Sequence, residues 1–249
     1  MQSQVAGINS KCRLCLQKRK LCKSHIFPEF FYKPMYDEKG RFLMIPADAS
    51  KRVLFKQQGV YELLLCEDCE EHTSRLEAYA RRVFFEKMEY IDEEGTGLIR
   101  VVNLDYAKFK LFQLSLLWRA GVSRDSFFSA VRLGPHEDRI RRMILESRPG
   151  KPYEYGCAIF GLALREGQAL DIMLAPDRGH IDSNYCYRFI LGSCIWAYVV
   201  SNHSVRFEGK SHFLQENGSL LLQTVDAKSV PFIRKAVDQV LRRGKISGV

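Results

Sequence analysis

Two Cys-x-x-Cys pairs constrain the fold of this 249-residue chain more than any other feature of its sequence. The first pair is Cys12 and Cys15, and the second is Cys66 and Cys69. Each pair places two thiolates on one tight turn, at about the separation that tetrahedral Zn²⁺ needs with bonds of about 2.3 Å. Two such pairs indicate a structural metal site rather than ordinary buried cysteines.

Two sets of four ligands satisfy the preference of structural zinc for nitrogen and sulfur donors. In one set, the two pairs together form a Cys₄ site that joins the N-terminal turn to the start of a helix. In the other, the first pair combines with Cys22 and His25, which leaves Cys66, Cys69 and His72 to a second metal or to none. The spacing alone leaves both sets open.

Three segments follow one another in a recognisable order: the first Cys-x-x-Cys pair, a strand with Ser24-His25-Ile26-Phe27-Pro28, and Leu65-Cys66-x-x-Cys69 at the start of a helix. This order resembles the zinc-containing HNH nucleases of the treble-clef and ββα-metal group, over roughly residues 10–90. The resemblance implies that Cys12, Cys15, Cys66 and Cys69 hold a structural zinc, and on this ground we favour that set. It also implies that His25 is the general base.

The resemblance implies a hydrolytic mechanism with a second metal ion. Imidazole titrates in the range that a base needs to take a proton from water near a phosphate. Mg²⁺ or Mn²⁺ would stabilise charge on the scissile phosphate and the leaving oxygen. The chain departs from the family at two positions. Members usually have Asn or His directly after the last cysteine and an Asn a few residues before the second cysteine pair, whereas this chain has Glu70 after Cys69 and no Asn in residues 56–61. We expect Glu70 to serve as an oxygen ligand and His72 as the distal metal ligand.

The expected function is that of an HNH-like metal-dependent endonuclease, acting on DNA rather than RNA. Such modules often act in bacterial anti-phage defence or restriction, which is implied by the resemblance alone. The alternative is a catalytically inactive zinc module that binds nucleic acid or a protein partner. The missing Asn favours the alternative, whereas the Ser-His-Ile-x-Pro strand and the basic N-terminal region favour the nuclease. The sequence does not indicate an oligomeric state.

The charge of the chain is unevenly distributed. The formal net charge is +9, and residues 1–60 carry 12 basic and 4 acidic side chains. Residues 61–100 carry 5 basic and 11 acidic side chains. A basic N-terminal region fits phosphate binding through counterion release, although a solvated surface explains it equally well.

Nothing in the sequence indicates secretion or a membrane span. The N-terminus has neither a basic n-region nor an apolar h-region, and the longest apolar run, near residues 190–200, is too short to cross a bilayer. We therefore expect a cytoplasmic protein with no membrane partner. Thiols there stay reduced, which favours a metal site over disulfides.

Hydrophobic periodicity predicts an α+β protein of three segments. Residues 1–97 form the treble-clef or ββα zinc module, 98–150 a helical connector, and 151–249 an antiparallel α+β domain of unassigned role. Helices are predicted over residues 67–89, 103–118, 123–131, a segment opened by Pro135, and 230–243. Strands are predicted over residues 42–45, 155–164, 170–174, 185–191, 195–200 and 219–224.

Smaller features complete the sequence-based expectations. The aromatic residues of 27–36 are predicted to be core, and Asn217-Gly218 predicts a type I′ hairpin turn. Cys157, Cys186 and Cys194 are predicted to be buried apolar residues. Three arginines between residues 139 and 142 are predicted to be exposed. A polar loop over residues 176–182 is a candidate acid–base or phosphate site, because it contains Asp177, Arg178, His180 and Asp182.

Overall fold

The elements of the N-terminal segment follow the predicted order of turn, paired strands and helix. The computed structural model describes residues 10–46, 53–163, 173–181, 184–201 and 208–234. Its first six strands and first α-helix are β1 Ser10–Lys11, β2 Lys18–Arg19, β3 Leu21–His25, β4 Phe42–Ile45, β5 Leu54–Lys56, β6 Tyr61–Cys66 and α1 Glu67–Phe85. Strands β3 and β6 pair antiparallel, and α1 continues directly from β6. The cysteine turn, two paired strands and a helix thus follow one another in this segment.

The segment between β3 and β4 folds into two short 3-10 helices, Glu29–Phe31 and Lys33–Met35. The prolines at 28 and 34 disfavour one long helix here. Phe27, Phe31 and Tyr32 are at most 2% exposed and Phe30 is also buried, which confirms them as core, whereas Tyr36 is partly buried against it.

Helix α1 ends at Phe85, four residues before its predicted end. The chain then forms a hairpin of β7 Tyr90–Glu93 and β8 Leu98–Val101, which was not predicted. Strand β8 also pairs with a strand near the C-terminus. The predicted domain boundary after Gly97 therefore lies within a hairpin that belongs to the large sheet.

Two further helices form the middle of the chain, α2 Tyr106–Val122 and α3 His136–Leu145. Helix α2 begins later than predicted because the Asp105 side chain accepts from the Lys108 N–H and caps it. The predicted helix over residues 123–131 is only a 3-10 turn, Ser126–Phe128. Helix α2 is central, since 13 of its 17 residues are buried.

A seven-stranded sheet forms the C-terminal half. Its later members are β9 Cys157–Ala163, β11 Asp177–Ile181, β12 Asn184–Leu191, β13 Cys194–Val199 and β14 Leu220–Asp226. The spatial order is β11-β12-β13-β9-β14-β8-β7, and every pair is antiparallel except β14 with β9. The short strand β10 Met173–Leu174 instead pairs parallel with one edge of β4, and β5 pairs with the other edge of β4. The fold is α+β, as predicted.

The turn at Gly218 differs from the predicted type I′ turn. Gly218 has φ +78°, but Asn217 does not have a positive φ, which both central residues of a type I′ turn require. The Leu104 N–H donates to the Gly218 carbonyl at 3.0 Å. A Cβ on Gly218 would lie 2.2 Å from the Leu104 carbonyl oxygen, so this position also needs glycine because the two backbones approach closely.

One hydrophobic cluster among the described residues contains members of all three predicted segments, from Cys12 through α2 to Leu220. Cys157 and Cys186 are buried as predicted, and Cys194 is partly exposed. Within the described ranges, no helix combines the length and apolar character that a membrane span requires. Residues 164, 170–172 and 182, and most of the predicted C-terminal helix beyond residue 234, lie outside the described residues.

Candidate metal centre

The first cysteine pair lies on a tight turn directly after β1. The Cys12 N–H donates to the Gln17 carbonyl, and the Leu16 N–H donates to the Cys12 carbonyl, both at 2.9 Å. Leu16 has φ +64°, a left-handed conformation that costs an L residue about 1 kcal/mol. The turn keeps this conformation and directs Cys12 and Cys15 to the same side.

The second pair lies where β6 becomes α1. Cys66 is the last residue of β6 and the N-cap of α1, and Cys69 lies in the first turn of the helix. The Cys66 N–H donates to the Cys12 sulfur at 3.4 Å. This contact joins the two pairs across more than fifty residues of chain.

The four sulfur atoms form one group. The Sγ atoms of Cys12, Cys15, Cys66 and Cys69 all lie within 4.8 Å of one another, and those of Cys15 and Cys66 are 3.8 Å apart. A tetrahedron with metal–sulfur bonds of about 2.3 Å has sulfur–sulfur edges of about 3.8 Å, whereas a disulfide needs about 2.05 Å. The four residues can therefore hold a thiolate-bound metal ion.

This group distinguishes between the two ligand sets. Among the described residues, the potential metal ligands that come together are the four cysteines. Cys22 and His25 are not part of this group. Cys22 pairs with Leu65 in the β3–β6 ladder, next to a bulge. The alternative set with Cys22 and His25 is not assembled.

The thiols of Cys12 and Cys69 have different electrostatic surroundings. Burial raises the pKa of the Cys69 thiol, and the neighbouring Cys12 raises it further. Burial also acts to raise the pKa of Cys12, but the N–H groups of Cys15, Cys66 and Leu14 outweigh it, so this pKa lies below its ordinary value. Backbone N–H donors around a sulfur stabilise the thiolate, which is the form that binds a metal.

Side chains of helix α3 bind the turn that carries the first cysteine pair. The Arg141 guanidinium donates to the Leu14 carbonyl at 2.8 Å, and Arg13 pairs with Glu137 at 3.1 Å. The Arg141 side chain is only 13% exposed. The prediction that the arginines of this helix are exposed is therefore wrong for Arg141, because it is bound to the turn.

His25 lies at the end of β3 with its side chain half-exposed. Its Nε2 is 3.3 Å from the Glu29 carboxylate, and its ring meets the edge of Tyr61 with centroids 6.1 Å apart. Its carbonyl accepts from the buried guanidinium of Arg119 at 2.8 Å. The backbone of His25 is thus fixed from the interior, while its imidazole faces outward.

Glu70 lies on the other side of β3. The Ser24 hydroxyl donates to the Glu70 carboxylate at 2.5 Å and accepts from the Leu65 N–H at 3.2 Å. Neighbouring residues of a strand point to opposite faces, so Ser24 points to α1 and His25 points away from it. Burial raises the pKa of Glu70, and the hydrogen bond from Ser24 opposes this shift.

His72 lies on a third surface. Its Nε2 is 2.8 Å from the carbonyl of Ile144, in the last turn of α3. Two residues along an α-helix correspond to about 200° of rotation, so His72 and Glu70 lie on opposite faces of α1. The three candidate catalytic residues, His25, Glu70 and His72, thus lie in three different environments.

The surroundings of His25 contain residues that the sequence did not single out. Glu29 lies four residues after His25, so its spacing offered a weak signal. Lys23 and Tyr61 lie beside it on the outer face of the β3–β6 ladder. Tyr61 could not have been placed there from sequence, because the pairing register of β6 is a tertiary property.

The polar segment near residue 177 is a strand rather than a loop. Strand β11 pairs with β12, and the Asp177 carboxylate bonds Arg188 of that strand. Arg178 and His180 alternate with Asp177 and are exposed on the other face. These residues do not converge on one site, and Asp182 lies outside the described residues.

Comparison of the chain with protein families, with curated proteins and with solved structures finds no match.

Proposed function

We propose that this protein is an HNH-like metal-dependent endonuclease built on a structural zinc site, with His25 as its general base. The observation that carries the proposal is the pairing of the half-exposed His25 imidazole with the Glu29 carboxylate, on a strand held by the cysteine group. A histidine with one nitrogen against a carboxylate and an open side is suited to proton transfer.

Zinc is the ion that best fits the four cysteines. Four thiolates with no other donor complete a tetrahedral shell, and such closed sites are structural rather than catalytic. Three of the four cysteines are at most 5% exposed, which leaves little room for water or substrate at the ion. The ion would fix the N-terminal turn to the start of α1, and through β3 it would position His25.

The arrangement of His25 defines its part in the reaction. With Nε2 lying 3.3 Å from the Glu29 carboxylate, the opposite nitrogen, Nδ1, would accept a proton from an attacking water. The Glu29 carboxylate then stabilises the imidazolium that forms. Mg²⁺, which is commonly bound in part through substrate phosphates, would supply stabilisation of the leaving oxygen.

The test compares cleavage of plasmid DNA and of single-stranded oligonucleotides by the wild type and His25→Ala, with Mg²⁺ or Mn²⁺. Removal of a general base is expected to lower the rate by about 10²- to 10⁴-fold, with zinc content and melting temperature unchanged. His180→Ala removes an exposed histidine of the C-terminal sheet and is expected to retain full activity. Cleavage that survives in His25→Ala would exclude His25 as the base.

A catalytically inactive module that binds nucleic acid is the second candidate. It is favoured by the positions of Glu70 and His72, which bond Ser24 and the Ile144 carbonyl on opposite faces of α1. This candidate predicts binding that weakens with salt and no turnover with either metal. Binding to a protein partner, and a role in anti-phage defence or restriction, remain predictions from the resemblance.

A further inference from the structure

The outer face of the β3–β6 ladder carries an unusual surface group. Lys23 is paired with Leu63, and His25 with Tyr61, so the four side chains lie on the face that points away from α1. Tyr61 is 39% exposed and Leu63 is 47% exposed. We call these four residues the ladder face.

Lys23 on this face differs from the cations of the other cation–aromatic pairs in having no acidic partner among the described residues. The Lys23 ammonium lies 4.8 Å from the centroid of the Tyr61 ring. Three other cation–aromatic pairs occur in the part of the chain that the structure describes, and each of their cations also pairs with an aspartate: Arg41 with Asp37, Lys108 with Asp105, and Arg188 with Asp177. Within the same part of the chain, Lys23 has no carboxylate partner.

The charge around the ladder face suits a polyanion. In the segment that leads into β3, Lys18 and Lys20 are exposed, and Arg19 between them pairs with Asp68. Glu29 is the acidic group that faces His25, and it is also bound by the Tyr36 hydroxyl at 2.9 Å. An exposed aromatic ring beside a cation that lacks an acidic partner, as Tyr61 is beside Lys23 within the described ranges, combines base stacking with phosphate neutralisation.

We propose that the ladder face is a stacking platform for single-stranded nucleic acid, with one base on Tyr61 and an adjacent phosphate on Lys23. On binding, the base takes the position of the Lys23 ammonium over the ring, and the flexible lysine moves to the phosphate. In a duplex, stacking on the neighbouring base pairs covers both faces of each base, so the platform favours single strands over duplex. This proposal rests on the proposed function in one respect only, namely that the protein binds nucleic acid.

Binding of a fluorescently labelled oligothymidylate, measured by anisotropy without added Mg²⁺ or Mn²⁺, tests the platform. Tyr61→Leu keeps an apolar strand residue but removes the ring, and we expect it to weaken binding about 5- to 150-fold. Tyr61→Phe keeps the ring and is expected to bind within about threefold of the wild type. Lys23→Gln is expected to lower the salt slope by about 0.7.

The matched control is Tyr90→Leu. Tyr90 is a more exposed tyrosine, at 59%, on a hairpin with acidic neighbours, and its replacement is expected to leave binding unchanged. Zinc content and melting temperature of each variant establish that it is folded.

Binding and cleavage separate this proposal from the proposed function. Tyr61-dependent binding without any cleavage would support the platform and contradict the nuclease. Cleavage that depends on His25, with binding unaffected by Tyr61→Leu, would overturn the platform alone. The platform is also overturned if the wild type binds no oligothymidylate, or binds duplex as tightly as single strands.

Discussion

At the scale of single residues, Cys66 combines several structural roles. It ends β6, occupies the N-cap of α1, places its sulfur 3.8 Å from that of Cys15, and donates its N–H to Cys12. Its backbone and its side chain thus both contribute to the metal centre. The sequence predicted the cysteine as a ligand but not the N–H bond, because that contact depends on how the turn docks against the helix start.

Replacement of Cys66 by serine is expected to abolish stoichiometric zinc binding. Loss of a buried metal site is expected to lower the free energy of unfolding by about 4 kcal/mol or more. For a chain of this size, about 4 kcal/mol corresponds to a fall in melting temperature of about 8–16 °C. Elemental analysis and thermal unfolding measure the two effects. Cys22→Ala is the control, because Cys22 lies outside the group and its replacement is expected to keep one zinc. Zinc lost from Cys22→Ala and kept in Cys66→Ser would contradict the assigned ligand set.

At the scale of elements, Arg119 of α2 joins three parts of the fold. Its side chain is fully buried, and its Nη1 lies 2.6 Å from the carboxylate of Glu77 on α1 and 2.8 Å from the carbonyl of His25 on β3. Apolar periodicity predicted α2 as a helix but indicated nothing about this arginine. Its partners are 42 and 94 residues away, so only the tertiary structure brings them together.

Arg119→Met is expected to lower the free energy of unfolding by about 3–5 kcal/mol, because it leaves the Glu77 carboxylate and the His25 carbonyl without their buried partner. Urea unfolding followed by circular dichroism measures this loss. The control is Arg142→Met, since Arg142 and Asp138 are both 57% exposed and such pairs contribute about 1 kcal/mol or less. Equal effects of the two substitutions would show that the buried ion pair is not a stabilising junction.

At the scale of the whole molecule, the cysteine module and the large sheet are continuous. The hairpin β7–β8 follows α1 in sequence and pairs with β14, and the main hydrophobic cluster extends from Cys12 to Leu220. The predicted boundary after Gly97 was based on a glycine-rich acidic turn. Such a turn also suits a hairpin within a sheet, and the sequence pattern does not distinguish the two.

A fragment of residues 1–97 is therefore expected not to fold on its own. It would lose β8, which is the partner of β7, and the buried surface of α2, including Phe109 and Phe112, which belong to the cluster. An amide NMR spectrum of the zinc-loaded fragment should show poor dispersion, whereas the full chain should unfold in one transition. A well-dispersed spectrum of the fragment would support the predicted division into separate domains.

The sequence by itself determined the α+β class, the cysteine pairs and the approximate position of most helices and strands, because these depend on local spacing and periodicity. Only the tertiary structure selected Cys12, Cys15, Cys66 and Cys69 over the set with Cys22, and placed Glu29 and Tyr61 beside His25. It also separated His72 from Glu70 by assigning each a different partner. Contacts between residues distant in sequence depend on strand register and helix orientation, and both follow from how the whole core is buried.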